Sequence, residues 1–179
     1  HVPTEFAQHV FDIVWGAGPA LGLRPAGYHA LEHLRSERAY REYGFDLTPA
    51  DTPLEAGLGF TVDFDKPVMF CGRDALLRQR ERRPLSKRLV MFALADPAPV
   101  LYHDAPIRLD GRIVGYVSSG AYGFTLGRSV AMGYVEWPDG VTADLVANGR
   151  WEIELACERY AAEASLKPFY DPGGSRTRM

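Results

Sequence analysis

The sequence predicts an α+β chain: the end of an α/β domain over residues 1–84, then a small antiparallel β-domain over residues 87–179. Three observations carry this. Apolar residues recur at helical spacing in three stretches before residue 84. Beyond it, six or so short strand-like runs follow one another with turn signals every ~8–12 residues, the spacing of a small barrel or sandwich. Two of those turns, Asp110-Gly111 and Asn148-Gly149, are dipeptides favoured in two-residue hairpin loops, where both central residues need positive φ.

Each element has a local reason. Thr4 is the expected N-cap of a helix over 4–15, with Phe6, Val10, Ile13 and Val14 on one face and Gly16 and Gly18 ending it. The turn Arg24-Pro25-Ala26-Gly27 separates it from a second helix over 28–41, with Leu31 and Leu34 facing inward and Glu32, Arg35 and Arg38 outward. From Gly59 the period becomes two, so Phe60, Val62 and Phe64 predict a strand. A third, basic helix spans 73–82. Strands are then expected at 89–94, 107–109, 113–117 and 129–136, and as a last hairpin pairing Leu145-Val146 with 151–155. The glycines from Gly115 to Gly133 lack the G-x-G-x-x-G or phosphate-loop pattern and read as barrel corners and close strand approaches.

Composition excludes several classes of function. The chain has 179 residues and a net charge of −3, from 20 basic against 23 acidic residues. That balance speaks against a nucleic-acid or membrane-surface partner, and no apolar run approaches the ~20 residues that span a bilayer. Cys71 and Cys157 have no CxxC partner, so both are expected as reduced, buried residues of a cytoplasmic protein. The chain opens His1-Val2-Pro3 and reads as part of something longer.

Candidate chemistry is sparse. His29-Ala30-Leu31-Glu32-His33 matches H-x-x-E-H, in which two imidazoles one helical turn apart can share a zinc ion; no third ligand stands out, and two surface histidines is the plainer reading. The run 78–88 has six basic residues and one acid, but no interleaved aromatic residue for base stacking, and reads as a solvated helix end and linker. Asp46, Asp51, Glu55, Asp63 and Asp65 surround a loop, where acidic residues also serve solubility. No Ser-His-Asp or Cys-His set appears.

Several blocks together resemble the glycine-cleavage T-protein (aminomethyltransferase) family. They are Arg24-Pro25-Ala26-Gly27, Leu34-Arg35-Ser36-Glu37, Tyr43-Gly44-Phe45-Asp46-Leu47-Thr48-Pro49 and the stretch 52–60. After them come Phe70-Cys71-Gly72-Arg73-Asp74-Ala75-Leu76, the stretches 113–120 and 127–135, and Lys167-Pro168-Phe169-Tyr170-Asp171-Pro172. Where the T-protein usually has Ala-Arg-Asp, this chain has Ala30-Leu31-Glu32, with Tyr40-Arg41 after the Leu-Arg-x-Glu block. That substitution resembles the flavin-linked branch, which holds dimethylglycine and sarcosine dehydrogenases or oxidases.

The resemblance implies a folate-binding domain followed by an aminomethyltransferase barrel, working with tetrahydrofolate, which accepts a methylene unit from an oxidised N-methyl amine. FAD is expected only on an N-terminal flavoprotein half, fused or associated. The family's catalytic aspartate and a pterin-contacting glutamate precede the position matching His1, so no catalytic residue is expected in this chain, which alone is expected to be inactive. The residues carried over as folate contacts are Tyr40, by stacking or hydroxyl contact, and Arg176 and Arg178, toward the folate carboxylates. A core role for Tyr40 and a disordered tail for the arginines are the competing readings. Arg35, Glu37 and the Ser118-Ser119-Gly120 corner are expected to be structural. A non-catalytic binding or assembly module and, more remotely, a zinc hydrolase built on His29 and His33 are the alternatives.

Overall fold

The computed structural model describes residues 1–82 and 84–176, in two compact units, residues 1–31 and Glu32 onward. In chain order the elements are α1 (Ala7–Ala17), α2 (Tyr28–Glu37), α3 (Arg73–Glu81), β1 (Lys87–Leu94), β2 (Pro106–Leu109), β3 (Arg112–Gly123), β4 (Arg128–Glu136), α4 (Ala143–Asn148), β5 (Trp151–Leu155) and β6 (Glu158–Ser165).

The first unit is built on α1, entered through a 3-10 turn at Thr4–Phe6 rather than capped by the Thr4 side chain. The residues of the expected apolar face, Phe6, Val10, Ile13 and Val14, are all exposed among the described residues, as are Phe11 and Trp15, whose rings stack at 6.0 Å.

The second unit centres on a closed antiparallel barrel in the order β1-β4-β3-β2-β5-β6. Its interior is apolar: Val90, Phe92 and Leu94 of β1 meet Ile107, Leu109, Val117, Val135, Trp151 and Ile153. The alternate residues of β1, Leu89 and Met91, face outward into a second, smaller core with Ala39 and Met132, against which Tyr134 and Phe169 pack. Burial on both faces explains why 89–94 reads as an unbroken apolar run with no alternation. Asp110 and Gly111 take positive φ in the β2–β3 turn, as their sequence predicts. Gly115 fits because β4 comes so close that a Cβ there would lie 1.8 Å from the Tyr134 carbonyl oxygen. The Ser118 corner is a β-bulge, where the β3–β4 register shifts between Val117 and Ser119.

Five expectations are corrected. The residues 60–64 are no strand; Gly59–Thr61 is a 3-10 turn. The second helix ends at Glu37, not 41, with Leu31 and Leu34 exposed and Arg35 among the sheltered residues. Leu145-Val146 belongs to α4, which Thr142 caps by accepting a hydrogen bond from the Leu145 amide at 3.0 Å. Gly149 there has ordinary negative φ and is required for space, since a Cβ would meet the Leu109 side chain at 2.5 Å. The last hairpin instead joins β5 to β6 through Ala156 and Cys157, both at positive φ without being glycine. Finally, Cys71 and Cys157 are exposed rather than buried. Among the described residues, no helix is long and apolar enough to cross a membrane.

Candidate functional site

The outer face of β1, β3 and β4 carries a layer of charge supplied by the end of α2 and the loop after it. Helix α2 stops in a Schellman-type turn: the Tyr40 amide bonds the Arg35 carbonyl at 2.9 Å and the Ala39 amide the Ser36 carbonyl at 3.0 Å, with Ala39 left-handed at φ 52°. Two buried carboxylates anchor this segment to the barrel. Glu37 accepts from the Thr125 amide and hydroxyl at 2.7 and 2.9 Å and from the Leu126 amide at 3.1 Å, gripping the β3–β4 turn.

Asp46, fully buried, is no solubility residue. Its carboxylate accepts from the Glu42 amide at 3.0 Å, from Arg35 Nη1 at 2.9 Å and from the Ser118 hydroxyl at the bulge. Its carbonyl accepts from the Tyr134 hydroxyl at 3.0 Å.

Arg35 reaches further. Beyond Asp46 it pairs with Glu32 at 2.6 Å and Glu42 at 2.9 Å, and donates to Ser119 Oγ at 3.0 Å and the Tyr40 carbonyl at 3.3 Å. Burial pulls its pKa down, but the hydrogen bond to Glu32 and the charges of Asp46, Glu32 and Glu42 outweigh that, leaving it above the ordinary arginine value. The expected outward-facing Arg35 is thus the centre of the layer.

Beside this layer the C-terminal segment folds back. Arg38 pairs with Asp171 at 2.9 Å and donates to the Tyr170 carbonyl at 3.2 Å, while its guanidinium lies 5.5 Å from the centre of the Tyr40 ring. Asp171 also accepts from the Ser175 hydroxyl and amide at 2.9 Å and from the Arg176 amide at 3.1 Å. The Arg176 guanidinium lies 6.0 Å from the centre of the Tyr170 ring.

Tyr40 and Arg176, far apart in sequence, therefore belong to one cluster through Arg38 and Asp171. Tyr40 lies past the helix end, with 52% of its surface exposed, so it is not a core aromatic. The tail is fastened as far as Arg176; Arg178 lies outside the described residues.

The other candidates sit elsewhere. His33 Nδ1 faces the Tyr122 carbonyl oxygen at 2.7 Å, which makes it a donor there, and its ring packs on Phe124. His29 lies edge-on to Tyr28. Among the described residues no group of three or more His, Cys, Asp or Glu could hold a metal.

A separate open cleft of about 970 Å³ is lined by Glu55, Lys87, Tyr116, Tyr134 and Trp137. There Lys87 bridges Asp51, at 2.7 Å, and the Tyr134 ring, at 4.6 Å. Burial, then the charges of Asp51, Asp46 and Glu55, push the Tyr134 phenol well above its ordinary pKa, so it stays neutral and donates to Asp46.

Sequence reasoning missed Arg35, Arg38, Asp46 and Asp171 as a connected set. Arg35, Asp46 and Asp171 stand inside family-like blocks and Arg38 directly follows one, which was the available signal. Their pairing across long stretches of chain was not.

Comparison with known proteins gives this layout a family. Residues 87–171 match the profile of the glycine cleavage T-protein C-terminal barrel domain, and residues 1–66 that of the GCVT N-terminal domain. The chain belongs to the glycine-cleavage T-protein family, and its relatives place it near the dehydrogenase branch.

It is 47% identical over 175 residues to 4-methylaminobutanoate oxidase (formaldehyde-forming) of Paenarthrobacter nicotinovorans, covering 98% of this chain and 20% of the relative. To mitochondrial sarcosine dehydrogenase of Homo sapiens it is 39% identical, covering 99% and 19%. To the mitochondrial pyruvate dehydrogenase phosphatase regulatory subunit of Mus musculus it is 38% identical, covering 94% and 20%. The crystal structure of glycine cleavage system aminomethyltransferase T from Bartonella henselae superposes with a TM-score of 0.80 at 26% identity, covering 96% of this chain and 45% of that one. The chain thus spans about a fifth of the length of these three curated relatives.

Proposed function

We propose that this aminomethyltransferase-like chain forms one wall of a tetrahydrofolate site and serves a flavin-linked protein of the sarcosine dehydrogenase type, whose FAD lies on a flavoprotein half, fused or associated. The observation that carries the reading is the gathering of Tyr40 and Arg176 around the Arg38–Asp171 pair. The residues suit the ligand. An exposed aromatic ring offers a stacking face to an aromatic heterocycle or its benzoyl extension, and Arg176 offers a cation to its carboxylates. Bound there, tetrahydrofolate would supply the nucleophilic amine that takes up a one-carbon unit.

The chain's own residues would bind and orient. None of the cluster's groups is set up to move a proton, because Asp171 is committed to Arg38, Ser175 and the Arg176 amide. Proton handling then falls to residues outside this chain, and the isolated chain should capture formaldehyde on tetrahydrofolate no faster than the spontaneous reaction.

The test is a fluorescence titration of the protein, in its full natural length, with tetrahydrofolate. Saturable quenching is expected. Tyr40→Ala should weaken binding by about 5- to 150-fold, the equivalent of one stacking contact of ~1–3 kcal/mol. Titration without saturation, or an unchanged affinity in the variant, removes the reading.

One finding favours a second reading, a regulatory or assembly module without chemistry: the 38% identity to a protein named as a regulatory subunit. The same titration separates the two, because such a module needs no folate affinity. Two of the relatives named above are mitochondrial.

A further inference from the structure

We infer that Arg35, gripped by the buried Asp46, is a positioning residue for Tyr40. The ligand part of this rests on the folate reading above; the geometry does not. Tyr40 is half exposed and belongs to neither a helix nor a strand, so where its ring stands depends on what holds its backbone, together with the Arg38 guanidinium 5.5 Å from the ring centre. Arg35 holds that backbone twice. Its carbonyl takes the Tyr40 amide at 2.9 Å, and its guanidinium donates to the Tyr40 carbonyl at 3.3 Å. The two bonds bracket one residue from the end of the preceding helix.

The guanidinium is itself fixed from the far side. Only 11% of the Arg35 side chain is exposed, and Asp46, fully buried, takes Nη1. Asp46 is in turn pinned to the β3 bulge by Ser118, while Ser119 next to it takes Nη2. A rigid barrel feature is thereby linked to the Tyr40 backbone through one planar, five-donor group. A lysine has the charge but cannot reach Glu32, Glu42, Asp46, Ser119 and the Tyr40 carbonyl together.

Two variants test this in the protein at its full natural length. Arg35→Lys keeps the charge and loses the fork. Asp46→Asn keeps the shape and the Glu42 amide bond but loses the charge that holds Nη1. Amide hydrogen exchange should rise by about 100-fold in residues 38–47 in both, with β1 and β4 unchanged. Tetrahydrofolate affinity should fall about tenfold in each, but less than twofold when the same change is made in a Tyr40→Ala background.

That background dependence is what a merely structural residue would not show. Equal losses in both backgrounds, or exchange rising uniformly through the barrel, overturn the inference. Unmodified protein that fails to bind tetrahydrofolate removes the folate reading instead, and the exchange data then decide the positioning role alone.

Discussion

The two faces of strand β1 are solved by opposite physics. Inward, Val90, Phe92 and Leu94 enter a core built from hydrocarbon and aromatic side chains. Outward, Leu89 and Met91 cover only a small apolar patch with Ala39 and Met132, next to which Arg35, Asp46 and Tyr134 form a buried polar layer. The inner face needs only volume and apolarity, and many sequences satisfy that. The outer face needs particular charges at particular places, because each buried ion left without its partner costs several kcal/mol. The inner face therefore maintains the barrel, while the outer face fixes what stands beside it, including Tyr40.

The largest effect expected from this contrast is on the inside. Phe92 is fully buried and packs edge-on to Trp151 with ring centres 5.4 Å apart. Phe92→Ala should cost about 3–5 kcal/mol, a fall of roughly 6–20 °C in melting temperature for a chain of this size. Thermal denaturation by circular dichroism reads it. A loss below about 1 kcal/mol would mean that the barrel core is not what holds the unit together.

Acid should separate the faces in the other direction, with a smaller effect. Burial alone would raise the Asp51 pKa, but hydrogen bonds from Lys87 and Thr48 hold it below the ordinary value. Asp171 is lowered in the same way, burial being outweighed by Ser175, the Arg176 amide and the Arg38 charge. Glu163 is lowered by its hydrogen bonds from Arg128.

A carboxyl group that binds its proton less readily when folded stabilises the fold fully above its unfolded value, roughly pH 4, and loses that contribution as pH falls through the folded value. Acidification from pH 6 to pH 3 should therefore loosen the loop around Asp51 and the segment around Asp171 first. The barrel interior, whose buried core among the described residues holds no carboxyl group, should hold. Amide hydrogen exchange resolved along the chain checks the order; β1 and β5 opening before residues 167–176 would break the comparison.

The sequence showed the inner face well and the outer face poorly, for reasons visible in single residues. Five of the six strands were legible, because apolar runs and the Asp110-Gly111 turn are local signals. The sixth, Glu158–Ser165, was missed because its turn uses Ala156 and Cys157, and Asn148-Gly149 offered a more conventional turn that the structure uses to end α4. The outer layer was illegible because its bonds are long-range. Arg35 meets Ser119 and Asp46 meets Ser118, and nothing near Arg35 in the chain marks it as sheltered. Local rules assign a charged helical residue to solvent and are right only when no distant partner exists.

The end of α2 sharpens this lesson in the variant of smallest expected effect. The helix ends four residues earlier than the expected 28–41, since the stop residue is Ala39, held left-handed at φ 52° where glycine is the usual choice. A non-glycine residue costs about 1–2 kcal/mol in that conformation. The offset is its methyl group, fully buried against Leu89, Met91 and Met132 and worth about 0.8 kcal/mol, together with the lower entropy an alanine has in the unfolded chain, about 0.4–1 kcal/mol. These opposing contributions nearly cancel. Ala39→Gly should therefore shift stability by less than about 1 kcal/mol, or roughly 2–4 °C in melting temperature. A loss much larger than that would show that the outer core depends on this one methyl group. A clear gain would show that the helix stop is strained, leaving the Tyr40 backbone to be held by Arg35 against that strain.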